Sequence, residues 1–528
     1  MRTPDDAPGF PTPPGPTPTS TTTGPDLFAD GVWHPDDPAP VIRGTRAERH
    51  GRRRRGPANA LLIILAVTAL AGGLRLWHLS SPGTYVFDEV YYAKDGCFDA
   101  GYPYKQCGLQ APEEQTFTVH PPLGRWIIAA GEKVFGNRPF GWRIGSAVFG
   151  TLSVLLVSLL ALQLFDSPIW AGVAGLLLAT EGLNLVQSRV SMLDIYVTTF
   201  LLAGFLFMVL DRKWIERRTP EAPPVGSVVM DQMEMPPDRV PSPLWRPWRL
   251  AAGVAFGAAT ATKWSGLLGV LVVIVLSLIW ERGRRRRSRV ARPWWGAIRD
   301  ESFGILLFLL LVPLAVYLAS YARWFADNGV DLGAWWRVQA GMLSYSIHLR
   351  AVHPYASSAW RWLLLTRPVS YYYTCTGHLA NGTCTGSAEI LALGNPLIFW
   401  GSFVTIPLTI AWGVIKRDWV AGLIVTAFLL QYLPWLPVAR TSFLFYMTPL
   451  TPFMVLALVY VLRHVAGTDE TVRGMTPGRF FAGTVVVACV ALSAFFWPIL
   501  IGEHISQAAW SLRIWFCRGG GSCLWNWV

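Results

Sequence analysis

The chain has 528 residues, of which 52% are hydrophobic, 13% aromatic and only 15% charged, with 26 tryptophans and a formal net charge of +12. Soluble domains carry about 25% charged residues, so this composition excludes an ordinary globular enzyme and points to a chain immersed in lipid. The basic residues fall in short clusters beside apolar runs, at Arg52 to Arg55 and Arg284 to Arg287, which fits anionic headgroups and topology control rather than nucleic acid.

Residues 1–55 are rich in Pro, Thr, Asp and Gly and lack apolar periodicity, which predicts a disordered cytoplasmic tail. The stretch from Ala58-Asn59-Ala60 to Leu76 has the basic front and apolar body of a signal peptide. It sits deep in the chain without a convincing cleavage site, so it reads as a retained first span. Crossing a bilayer as helix takes roughly 17 to 25 apolar residues. About eleven runs qualify, near 59–77, 143–164, 168–186, 194–210, 249–262, 265–280, 302–320, 391–414, 418–436, 442–462 and 480–501. Two of them, 249–262 and 265–280, are short and read as a hairpin turning near Lys263-Trp264-Ser265-Gly266, because one long helix would put the Arg282-to-Arg292 cluster outside.

With the N-terminus inside, the basic loops 211–248, 281–301, 415–417 and 463–479 are cytoplasmic and the C-terminus is exocytoplasmic. The same threading puts three cysteine couples outside, Cys97 with Cys107, Cys375 with Cys384, and Cys517 with Cys523, and leaves Cys489 within a span. Three short-range couples on the oxidising side read as disulfides, against six unrelated thiols. Two larger exocytoplasmic loops, 78–142 and 321–390, are long enough to carry chemistry. In the second, Trp335-Trp336-Arg337 and Ser344-Tyr345-Ser346-Ile347-His348 fit helices lying in the membrane interface. The fold class is an all-α polytopic membrane protein.

The first outer loop opens with Tyr85-Val86-Phe87-Asp88-Glu89-Val90-Tyr91-Tyr92. Paired carboxylates at a lipid boundary are costly unless solvated, paired or functional. Asp88 there suits a base for a hydroxyl acceptor, with Glu89 beside it; the plain alternative is that Asp88 caps a helix that Glu89 supports. Next, His120-Pro121-Pro122-Leu123-Gly124-Arg125-Trp126 holds an imidazole in an extended segment, either cleft-facing or an ordinary loop histidine. Arg143 stands at the mouth of the second span, suited to a phosphate or a carboxylate by its forked donors, or to snorkelling. Gln187-Ser188-Arg189-Val190-Ser191-Met192-Leu193-Asp194 returns to the same side, so Arg189 and Asp194 either complement that cleft or form a structural pair.

The order FDEVYY, HPPLGRW, a membrane-entry arginine and SRVSMLD resembles the protein O-mannosyltransferase family, most closely its actinobacterial members. ATKWSGL at 261–267 and the late arginine of Arg440-Thr441-Ser442-Phe443-Leu444 extend the resemblance over nearly the whole chain from about residue 59. It implies a GT-C glycosyltransferase domain over 56–528 in the cell membrane, with an exocytoplasmic site. It also implies a polyprenyl-phosphate mannose donor and inverting transfer to Ser/Thr hydroxyls of translocated proteins, which would meet the site on emerging from the secretion translocon. Asp88 matches the family's base and Glu89 its acidic neighbour. Arg143, Arg189 and Asp194 match polar positions around the cavity, and Arg440 resembles the arginine near the lipid phosphate. Lys263 is a further candidate phosphate contact, or an interfacial lysine at a hairpin tip.

Two departures from the eukaryotic pattern stand out: loop 321–390 is too short for a β-trefoil domain, and Phe445-Tyr446-Met447 replaces a histidine-rich run. Tyr371-Tyr372-Tyr373 fits either a substrate channel or an aromatic belt, and Asn381-Gly382-Thr383 forms a glycosylation sequon. The residues leave a divalent-metal requirement open. Two other functions compete: a related GT-C enzyme moving another lipid-linked sugar, such as an aminosugar or arabinose, to a lipid or polysaccharide; and a transporter or flippase. The second calls for ionisable residues along a mid-membrane path, whereas the motifs here gather at one face.

Overall fold

The computed structural model describes residues 57–111, 119–218, 245–287, 292–378, 384–467, 474–516 and 526–527. The expected tail 1–55 and the 381–383 sequon lie outside the described residues.

The chain runs through α1 (Pro57–Leu76), α2 (Glu89–Asp99), α3 (Leu123–Phe135), α4 (Pro139–Phe165), α5 (Pro168–Thr180), α6 (Gly182–Gln187) and α7 (Asp194–Glu216). Then come α8 (Pro247–Thr262), α9 (Gly266–Arg287) and α10 (Pro293–Ala319), the last with a π-helical stretch at Ile305–Leu311. Outside the spans follow α11 (Ala322–Asn328), α12 (Leu332–His348), β1 (Val369–His378) and β2 (Cys384–Ala392). The chain closes with α13 (Pro396–Lys416), α14 (Trp419–Tyr432), a 3-10 segment Leu444–Leu450 continuing into α15 (Thr451–Ala466), α16 (Pro477–Ile501), β3 (Ile505–Ser506) and α17 (Gln507–Arg513). Prolines open many of these helices because the first turn has no use for the missing N–H.

Among the described residues, eight helices are long and apolar enough to cross a bilayer, with α5 and α14 as shorter apolar helices. The protein is a multi-pass membrane protein. Several ends differ from the sequence reading. The run 168–186 breaks at Glu181, whose carboxylate accepts the N–H groups of Leu183 and Asn184 at 3.1 and 2.7 Å and so starts α6. The run 391–414 begins too early, because its first residues belong to β2 and the helix starts at Pro396 behind an Asn395 cap. The break between α8 and α9 falls at residues 263–265.

Lipid supplies no hydrophobic drive between helices, so small residues that admit close approach do much of the packing. A Cβ on Gly253 of α8 would lie 2.0 Å from the Phe308 carbonyl oxygen of α10. At the end of the bundle away from Asp88, Asp211 of α7 and Glu301 of α10 bind both Arg246, which precedes α8, and Arg249 in its first turn, with Arg246 Nη1 to Glu301 Oε1 at 2.8 Å.

The departure from an all-helical architecture is an antiparallel sheet in the order β1-β2-β3. Val369 pairs with Ala392 at one end and His378 with Cys384 at the other. Of the three expected disulfides the structure contains two, joining Cys375 to Cys384 in this hairpin and Cys97 at the end of α2 to Cys107. Cys517 and Cys523, expected to form the third, both lie outside the described residues, so that pairing stays an expectation. Cys489 is buried and free.

Helix α12 has three faces. Gln339 and Met342 are buried, Gln339 accepting the Tyr317 hydroxyl at 2.6 Å. Leu332, Trp336, Leu343 and Ile347 form an exposed apolar stripe, and Arg337, Ser344 and His348 a polar one. That pattern suits a helix lying along a lipid–water boundary.

Candidate active site

Four chain reversals at one end of the bundle converge on the site: the α1–α2 turn, the entry to α7, the α8–α9 break and the segment before Leu444. Gly124 permits the convergence, since a Cβ there would meet Leu193 Cδ2 at 2.6 Å and Thr262 Cγ2 at 3.1 Å.

The α1–α2 turn is clamped by Arg143 of α4. Its Nε donates to Glu89 Oε1 at 2.8 Å and its Nη2 to Glu89 Oε2 at 2.8 Å. Nη1 donates to the carbonyls of Leu79 and Pro82, and Nη2 also to that of Thr84. All five guanidinium donors are therefore used. Glu89 is equally saturated, accepting the backbone N–H of Ser191 at Oε1 and of Val86 at Oε2, each at 3.0 Å. Both side chains are buried, so neither has capacity for a substrate. Sequence reasoning put Glu89 beside the chemistry and offered Arg143 to a phosphate or a carboxylate; the carboxylate it binds is that of Glu89, and the pair frames the turn.

Arg189 is also occupied, donating to the carbonyls of Leu74 and Arg75 at 3.0 Å and closing the C-terminal end of α1. Asp194 opens α7 and holds Lys263, with Nζ 2.8 and 3.0 Å from its two oxygens.

Asp88 behaves differently. It is the residue before α2, yet its side chain makes no capping hydrogen bond, and among the described residues it forms no ion pair. The turn presents it by forcing the preceding Phe87 to φ +48°, a left-handed conformation that costs a non-glycine residue roughly 1–2 kcal/mol. Phe87 is held there by stacking on Tyr371, centroids 4.5 Å apart, and Tyr371 is fixed by Gln187 Nε2 donating to its hydroxyl at 2.6 Å. Burial pushes the Asp88 carboxyl up to about 6, with Lys263 pulling it down and Asp194 pushing it up. That range suits a general base at neutral pH.

His120 faces Tyr92 with ring centroids 6.2 Å apart. Burial first, then the charges of Lys263, Arg440 and Arg125, drives its pKa well below the usual histidine value, so the imidazole is neutral. Arg440 lies over the rings of Trp435 and Tyr446, each 5.6 Å from its guanidinium carbon. It has no carboxylate partner among the described residues, and is thus the cation of the site left with its charge to give. A cleft beside it is lined by Asp194, Lys263, Ser265, Gln431, Trp435 and Tyr446. Among the described residues no group of three or more His, Cys, Asp or Glu is arranged to hold a metal ion.

The sequence-predicted residues Asp88, His120, Asp194, Lys263 and Arg440 come together here, while Glu89, Arg143 and Arg189 stand behind them. Sequence reasoning missed Tyr92, Gln431 and Tyr446. Tyr92 follows Asp88 by one helical turn, and Gln431 is a lone polar residue in an apolar run; both were readable signals. The Tyr371-Tyr372-Tyr373 run divides: Tyr371 supports Phe87, and the Tyr373 hydroxyl lies 3.0 Å from Ser387 Oγ in the sheet.

Residues 65–222 match the family described as dolichyl-phosphate-mannose-protein mannosyltransferase, and residues 332–518 the C-terminal four TMM region of protein-O-mannosyltransferase. Two relatives named polyprenol-phosphate-mannose--protein mannosyltransferase are each 30% identical. That from Mycolicibacterium smegmatis (strain MKD8) aligns over 94% of this chain and 98% of its own. That from Mycobacterium tuberculosis (strain CDC 1551 / Oshkosh) aligns over 86% and 90%. The fold resembles the S. cerevisiae protein O-mannosyltransferase Pmt1-Pmt2 complex bound to the sugar donor, with a TM-score of 0.66 and 15% identity over 89% of this chain and 94% of that one. The architecture is the GT-C glycosyltransferase fold, and the chain belongs to the protein O-mannosyltransferase family.

Proposed function

We propose that this protein transfers mannose from a polyprenyl-phosphate mannose donor to Ser/Thr hydroxyls of polypeptides at the exocytoplasmic face of the cell membrane, with Asp88 as base. The observation that carries the reading is the contrast between neighbours: Glu89 is fully consumed by Arg143, Ser191 and Val86, whereas Asp88 has no cap and, among the described residues, no ion pair, and feels the charge of Lys263.

In the reaction the acceptor oxygen attacks the anomeric carbon as the bond from that carbon to the phosphate oxygen breaks. The acceptor proton passes to Asp88, and the bonding electron pair leaves with the phosphate. The donor phosphodiester carries one negative charge and the departing monoester close to two, so cations near the phosphate bind the transition state better than the ground state. Arg440 supplies such a charge, and Lys263 lies between Asp194 and the same cleft. Glu89, Arg143 and Arg189 are positioning residues, and neutral His120 is a hydrogen-bonding group for a substrate. The basic loop around 281–301 is then cytoplasmic together with the N-terminus.

The deciding experiment incubates membranes containing the full chain with labelled polyprenyl-phosphate mannose and a Ser/Thr/Pro-rich peptide. Label should appear in the peptide and be lost in Asp88→Asn. Label in a lipid or polysaccharide, with the peptide unlabelled, would overturn the assignment in favour of another GT-C reaction.

A further inference from the structure

Tyr446 lies in the 3-10 segment Leu444–Leu450 where the chain re-enters the bundle. Its ring is approached by two cations: Lys263 Nζ is 4.5 Å from the centroid and the Arg440 guanidinium carbon 5.6 Å. Other aromatics hold the ring in turn, with Trp435 at 5.0 Å, Phe445 at 5.0 Å and Trp362 edge-on at 6.0 Å. Tyr446 also lines the cleft with Asp194, Lys263 and Trp435. Among the described residues its hydroxyl makes no hydrogen bond.

A carboxylate placed between Lys263 and Arg440 would hold both cations by neutralising them. An aromatic face attracts a cation through its quadrupole yet leaves the formal charge and the N–H donors available to a ligand. Asp194 already compensates Lys263 from one side. Arg440 has no such partner among the described residues, and its contacts are the faces of Trp435 and Tyr446.

We propose that Tyr446 is a donor-site residue, its ring setting Lys263 and Arg440 as a two-cation clamp and its hydroxyl adding a neutral donor for the phosphate. The inference rests on the transferase reading above and deepens it. The ligand class is a lipid phosphate, monoester or diester. Because the π face does not quench the Arg440 charge, the clamp tightens as the phosphate gains charge on release from the sugar, so the monoester product binds at least as well as the donor.

The test uses the full chain in membranes and in detergent, with Tyr446→Phe and Tyr446→Leu. Phe keeps the ring and removes the hydroxyl; Leu removes both. Two readouts are taken: the apparent KM for polyprenyl-phosphate mannose against that for peptide, and the rise in melting temperature given by unglycosylated polyprenyl phosphate. Tyr446→Phe should raise the donor KM several-fold and leave the peptide KM unchanged. Tyr446→Leu should raise it further and abolish most of the thermal protection. Inorganic phosphate and polyprenol in parallel separate headgroup from chain, and neither alone should reproduce the protection. Donor KM and lipid-phosphate protection at wild-type levels in both variants would overturn the proposal. If Tyr446→Leu does not fold, an unchanged Tyr446→Phe overturns the hydroxyl's part and a raised donor KM sustains it. Absence of peptide labelling by the wild-type chain would instead defeat the transferase reading, whereas the protection measurement tests the clamp without any sugar transfer.

Discussion

Both oxygens of Glu89 lie 2.8 Å from the Arg143 guanidinium, and this buried pair, not a cap at Asp88, starts α2. Removing one partner of such a pair strands a buried charge at a cost of about 3–5 kcal/mol. Glu89→Gln and Arg143→Ala should therefore lower the melting temperature and the yield of folded protein, with the surviving molecules retaining more turnover than Asp88→Asn. Thermal melts and specific activity on the same preparations check this. Wild-type stability together with an activity as low as that of Asp88→Asn would give Glu89 a direct part in the chemistry.

Asp88→Asn should show the opposite profile, with transfer falling by roughly two to four orders of magnitude, the scale of general base catalysis. Its carboxyl is raised from 3.8 to about 6, so its contribution to stability is complete below pH 3.8 and is lost as pH rises through about 6. Ionised at pH 7.5, Asp88 costs the fold up to about 3 kcal/mol, and the Asn variant should melt higher there than the wild type. The rate should climb with pH through about 6 and level off above 7. A flat profile between pH 5 and 8, with correctly folded enzyme, would remove Asp88 as the base.

Arg440 has no carboxylate partner among the described residues, so Arg440→Ala should leave stability nearly unchanged. Charge-assisted hydrogen bonds of about 1.5–3 kcal/mol would be lost to the donor, raising its apparent KM roughly 10- to 100-fold with the peptide KM unaltered. Steady-state kinetics varying each substrate in turn decide this; an unchanged donor KM excludes Arg440 from the phosphate site.

Glu132 of α3 is buried, and among the described residues neither of its carboxylate oxygens has a hydrogen-bond partner. Burial first, then Asp99 and Glu89, pushes it up from 4.5 to about 8. Its contribution to stability is complete below pH 4.5 and disappears as pH rises through about 8. Glu132→Gln should melt higher than the wild type and lose less stability between pH 7 and 9. Parallel pH-dependent melts in detergent would show this, and equal slopes would mean that Glu132 finds a partner in solution.

The sequence by itself determined the long apolar helices of a multi-pass membrane protein, and it named Asp88, His120, Asp194, Lys263 and Arg440 as candidates that the structure brings together. Span length and apolarity are local properties, so α1, α4, α7 and α16 are legible from runs of residues, and the break at Lys263-Trp264-Ser265 from its polar interruption. The hairpin of β1 and β2 was not legible, because its stability comes from pairing residues such as Val369 and Ala392, and a short apolar run near 391 reads equally well as the start of a helix. Adjacent carboxylates at 88 and 89 are likewise indistinguishable in one dimension. Only the tertiary structure separated them, by bringing Arg143 and the Ser191 amide to one and the charges of Lys263 and Asp194 near the other. Local propensity fixes where a side chain sits along the chain, but which partner neutralises it depends on helices distant in sequence, and that partner decides whether a carboxylate builds the turn or is left to take a proton.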